Sequence, residues 1–214
     1  MVGHYEEERY FEWLEKGGYP ELGRVNVDRA VFSQAHNWEQ ATGCTSAQLT
    51  PAFARFILAN QHLQKTIPGA REALIEINRY GYLHLLTARG KVLQQTTQNF
   101  LTRHCLGVPF LSYNWDSYGK KADPILEHSI RIHIEDCAQE TKAILEQIGD
   151  RSDILIIQFP SFRGPTQETI ADDRVYRLEA CDQVRCLYLR EQLWQLAWKE
   201  IRAIVPDLLA PALA

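Results

Sequence analysis

The sequence predicts an α/β fold: a parallel sheet with helices on both faces and a helical region at the amino end. Three observations predict it. From residue 67 onward, short apolar runs alternate with amphipathic segments of helix length, the pattern of successive βαβ units. The runs YLHLLT (82–87), IRIHIED (130–136) and DILIIQF (153–159) are nearly continuous in apolar content, as strands covered on both faces are. The first third of the chain carries helical spacing instead.

The elements follow in order. Residues 4–16 place Tyr10, Phe11, Trp13 and Leu14 in a broad apolar stripe, and Gly17 and Gly18 stop that helix. Residues 19–30 read as loop. Residues 31–42 and 50–64 read as two further helices, the second carrying Phe53, Phe56, Ile57 and Leu63. Ile67-Pro68-Gly69 is a turn, and 69–80 is an amphipathic helix with Ala70, Leu74 and Ile77 on one face. The strand 82–87 lies between Gly81 and Gly90, and a helix follows over 91–104. Then come a short apolar piece at 108–113, a polar loop and a helix near 121–129. The strand 130–136, a helix at 138–148 and the strand 153–159 follow, the last ending at Pro160. Residues 174–179 read as a short fourth strand. Residues 185–204 close as a helix carrying Leu189, Leu193, Trp194, Trp198 and Ile201, although 185–190 has strand character as well. The two tryptophans read as packing residues, and the tail 208–214 as frayed or locally packed. Three regions result: a cap-like 1–66, an α/β core at 67–182, and a helix with tail at 183–214.

Composition narrows the function. The chain has 214 residues, 45% hydrophobic and 23% charged, which is globular. Its net charge of −4 lacks the basic surplus that a nucleic-acid footprint needs. No apolar run reaches the length of a membrane span, and the acidic start MVGHYEEERY is unlike a signal peptide, so a cytoplasmic location is the expectation. The five cysteines form no CxxC pair and read as reduced, mostly buried thiols. Cys137 alone adjoins chemically capable residues. The seven histidines show no metal-ligand spacing, so His84 and His133 read as core or helix-facing residues. No GxGxxG follows any strand, which weakens a dinucleotide-binding reading.

In an open parallel sheet, ligands bind outside the carboxyl ends of the strands. Thr87 and Arg89 stand at one such end, Glu135 and Asp136 at another. Plainer readings exist beside the functional ones. Thr87 and Arg89 are also apt helix-capping residues, and Glu135, Asp136 and Lys121 are also apt solvated charges.

Taken together, these segments resemble the haloacid-dehalogenase-like phosphohydrolases, and within them the 5′(3′)-deoxyribonucleotidase-like branch. The resemblance covers roughly 67–182. IPGAREALIEINRYGYLHLLTARG resembles the lead-in helix and second motif, whose hydroxyl residue would be Thr87. Lys121-Ala122-Asp123 resembles the third motif, with Lys121 as its lysine and Lys120 the adjacent alternative. IHIEDC resembles the fourth motif, ending in Glu135 and Asp136, and DILIIQFPSFRG resembles the strand after it. The resemblance implies a three-layer, Rossmann-like α/β sheet with an N-terminal helical cap. It also implies roles. Thr87, with Arg89 nearby, would hold phosphate oxygens, aided by backbone N–H groups at the start of the following helix. Lys121 would offset charge on the phosphate and the nucleophile. Asp136, helped by Glu135, would hold Mg²⁺, a hard cation that prefers carboxylate and water oxygens.

The family's first motif, a strand ending Asp-x-Asp whose first aspartate attacks phosphorus, has no counterpart in these residues. No two aspartates stand in that spacing behind an apolar run. Either the chain starts downstream of an ancestral start or the strand is lost. Loss would remove a central strand and leave the sheet with a substitute or an altered order. The expected function is a phosphohydrolase fold descended from a Mg²⁺-dependent phosphomonoesterase, with negligible turnover in this chain. The alternative is a non-catalytic relative that binds a small phosphorylated molecule or a protein partner.

Overall fold

The computed structural model describes residues 3–4, 7–35, 37–87, 89–104, 110–114, 119–160, 169–182 and 190–209. Near the amino end the helices α1 (Glu7–Glu15), α2 (Arg29–Ala35), α3 (Trp38–Thr42) and α4 (Ser46–Ala59) pack together. Tyr10, Phe11 and Leu14 of α1 are buried against Phe32, Phe56 and Ile57 in a core of their own. Gly17 stops α1 with a φ of +73°, and a Cβ on Gly18 would lie 2.3 Å from the Trp13 ring. The indole therefore lies directly over the chain reversal, where only glycine fits.

Three of the expected boundaries differ. The first helix does not reach residue 4. Gly3–His4 instead forms β1, antiparallel to β2 (Lys65–Thr66). The expected helix 31–42 is two helices. Asn37 takes an extended conformation and its side chain accepts the Gln40 N–H at 3.1 Å, so it caps α3 and ends continuity with α2. The expected helix 50–64 begins four residues earlier, where the Gln48 side chain accepts the Thr45 N–H at 2.9 Å. It ends at Ala59, and Gln61–Leu63 forms a 3₁₀ turn.

The strands beyond residue 67 are parallel. Strand β3 (Leu83–Leu86) pairs with β4 (Phe110–Asn114), which takes in the described part of the apolar piece expected at 108–113. Strand β5 (Ile132–Glu135) pairs with β6 (Leu155–Gln158), which pairs with β7 (Val175–Arg177). The connections are helical: α6 (Gln94–His104) follows β3, α7 (Ala122–Glu127) precedes β5, and α8 (Ala138–Ile148) follows it. The helices α5 (Ala70–Ile77) and α9 (Arg190–Leu209) pack on each other beside the strands. The strand-or-helix ambiguity at 185–190 falls, except for Arg190, outside the described residues, as do the last five residues of the tail.

Among the described residues no ladder joins β3 to β5, so the parallel strands form a pair and a triplet rather than one sheet. The two pieces nonetheless share their packing. Leu83 and Leu85 of β3 lie against the core built by α5, α9, Ile157 and Phe159. Leu86 lies against the core of Ala122, Ile125, Ile144 and Ile156. Ile156 and Ile157 at the middle of the triplet are fully buried, whereas the apolar side chains of β3 are half-buried. Among the described residues the parallel strands are thus divided between β3 and β5.

Helix α9 closes one face. Trp194 and Trp198 are 4% and 2% exposed, as packing residues should be. The Trp194 indole donates to the Pro160 carbonyl at 3.2 Å, and Trp198 meets Phe159 with ring centroids 5.4 Å apart. Among the described residues no helix is long and apolar enough to cross a membrane.

Candidate functional site

Strand alternation builds the first half of the site. Residues two apart on a strand face the same way, so β5 presents His133 and Glu135 together. The His133 Nε2 lies 3.2 Å from Glu135 Oε2. Lys121, at the residue before α7, reaches the same oxygen, with Nζ 2.5 Å away. The other oxygen, Oε1, accepts the backbone N–H groups of Asp136 and Cys137, each at 3.1 Å. Burial pushes the Glu135 carboxyl up, but His133 and Lys121 outweigh burial and hold it down at about 2. It is therefore ionised at neutral pH.

A second carboxylate completes the group. Glu140 stands in the first turn of α8. Its Oε1 accepts the Gly119 N–H at 2.8 Å, which ties the segment ahead of Lys121 to the helix. Its Oε2 has no hydrogen bond among the described residues and lies 3.7 Å from Lys121 Nζ. All of these side chains are withdrawn from water: Lys121 is 12% exposed, Glu135 2% and Glu140 4%.

Thr87 and Arg89 form a separate group beyond β3. The Thr87 Oγ1 accepts the Arg89 N–H at 3.1 Å, and the Arg89 guanidinium donates to Thr97 Oγ1 on α6 at 3.0 Å. These contacts tie Arg89 to the end of β3 and to α6. The helix expected over 91–104 begins as α6 only at Gln94, after a 3₁₀ turn at Lys91–Leu93. The Thr87 hydroxyl is therefore separated from the helix start expected to share a phosphate with it.

The structure also places the other residues singled out in the sequence. Lys121 and Glu135 are not solvated charges but partners in a buried pair. Lys120 is exposed, so between the two lysines it is Lys121 that joins the cluster. His133 is buried, as expected of a core histidine, and is also a neighbour of Glu135. Magnesium fits this arrangement poorly. Both Glu135 oxygens are engaged by protein groups, and among the described residues no three His, Cys, Asp or Glu side chains stand close enough to hold a metal ion. Asp136, half-buried at the strand end, is the remaining carboxylate of the expected pair.

His133 and Glu140 are the members that the sequence reading missed. An H-x-E alternation inside a strand signals the first. Nothing local signals the second, because its partner comes from a different helix. A cavity of about 210 Å³, lined by Arg131, Asp153, Leu155 and Leu208 among others, lies at the amino ends of β5 and β6. It is at the opposite end of those strands from Glu135 and includes none of the cluster.

Comparison with family models, with curated proteins and with solved structures returned no match for this chain.

Proposed function

We propose that this chain is a haloacid-dehalogenase-like phosphohydrolase fold, of nucleotidase type by descent, whose site binds rather than hydrolyses. One observation carries the reading: the lysine of the third-motif-like segment and the carboxylate ending the fourth-motif-like strand, 14 residues apart, meet in a buried pair. The resemblance predicts that convergence from order and spacing alone. The break between β3 and β5 supports it from the fold, because loss of the first motif would remove a central strand.

Two features argue against turnover. No aspartate of these residues stands in the nucleophile's spacing. The Lys121 charge that would serve a phosphoryl group is also paired with Glu135, and the Arg89 guanidinium is held by a hydrogen bond to Thr97. What remains for an anion is the end of β3, with the Thr87 hydroxyl and the neighbouring backbone.

A ³¹P NMR titration with a nucleoside monophosphate tests the binding side. The expected result is weak, saturable binding that Thr87→Val weakens further. Absence of binding, with the protein folded, would overturn the phosphate-ligand reading and favour a protein partner instead.

A further inference from the structure

We propose that the Lys121 ammonium is the resident cation of this corner: held by Glu135 and shared with Glu140, it fills the place of a divalent ion and shuts one out. The expected place of the ion rests on the phosphohydrolase reading, whereas the seating of the ammonium stands on geometry. Two carboxylates from different elements, the end of β5 and the first turn of α8, converge on one nitrogen, at 2.5 and 3.7 Å. Neither is more than 4% exposed.

The Glu140 Oε2 atom is the informative one. A buried carboxylate oxygen without a hydrogen bond is costly unless a charge compensates it. The compensating charge is the Lys121 ammonium, which has three N–H donors to distribute. Glu140 is not free to turn away, because the Gly119 N–H fixes its other oxygen. The corner therefore holds two anionic ligands of the kind that bind hard cations, with an organic cation already seated between them. His133 touches the same Glu135 oxygen from another side, so while Lys121 is seated there that oxygen is shared by two protein groups.

Removing the ammonium while leaving both carboxylates should convert the corner into a metal site. The test is thermal unfolding of the parent chain and of Lys121→Met, each with and without Mg²⁺ or Mn²⁺. The parent midpoint should not respond to either ion. The midpoint of Lys121→Met should fall, and the ion should raise it again. Adding Glu140→Gln to Lys121→Met should abolish that response. A parent stabilised by the ion, or a Lys121→Met variant indifferent to it, would overturn the proposal. Should Lys121→Met not fold without the ion, folding on its addition is the supporting result. Should it fold in neither condition, Lys121→Gln is carried through the same comparison, and its failure to respond also overturns the proposal.

Discussion

Glu135 receives four contacts and gives the corner its shape. His133 and Lys121 reach one oxygen, and two backbone N–H groups reach the other. These contacts favour the charged form, and folding therefore depends on pH. The carboxyl titrates at 4.5 in the unfolded chain and at about 2 in the folded one. Below 4.5 the unfolded state takes up a proton that the folded state refuses. The contribution is thus complete above 4.5 and is lost as pH falls from 4.5 toward 2. Urea unfolding across that range should show the parent losing stability steeply. Glu135→Gln should be weaker at neutral pH and flatter in acid, because its amide does not titrate. The sequence shows the residues of this pair but not their state. Lys121 and Glu135 are legible from motif order. Their burial is not, because it depends on α7 and α8 folding over the strand end. Glu140 is illegible for the same reason.

At the scale of elements, legibility followed periodicity. The strands β3, β5 and β6 and the helices α5 and α8 lie within the expected segments, because their apolar spacing is uninterrupted and their ends carry turn or cap residues. Strand β4 has no alternation, sits behind Pro109 and reads only as an apolar piece. The α2–α3 break was hidden because apolar residues continue across Asn37, and only its capping role separates the helices. Helix α9 was legible through Trp194 and Trp198, whose four-residue spacing puts both on one face. That face seals α5 and Phe159, so its loss should be felt throughout the core. Trp198→Ala should cost about 3–5 kcal/mol in a denaturation experiment, the range for deleting a large buried aromatic side chain. A loss well under that range would mean the helix contributes little to the core.

For the molecule as a whole, the governing fact is the division of its parallel strands. The pair β3–β4 and the triplet β5–β6–β7 share two cores yet are not joined by a ladder among the described residues. Alternating strands and helices made the α/β class legible. Where the sheet divides could be learned only from register. On the proposed reading, a sheet divided at that place, with its lysine and carboxylate paired to each other, would be a phosphohydrolase frame without the group that attacks phosphorus. Turnover of p-nitrophenyl phosphate and nucleoside monophosphates in the presence of Mg²⁺, compared between the parent chain and Asp136→Ala, tests this most directly. The account predicts no turnover above background in either protein. Mg²⁺-dependent turnover in the parent that disappears in Asp136→Ala would contradict it, since another residue would then be supplying the nucleophile and the ion would be bound at this corner.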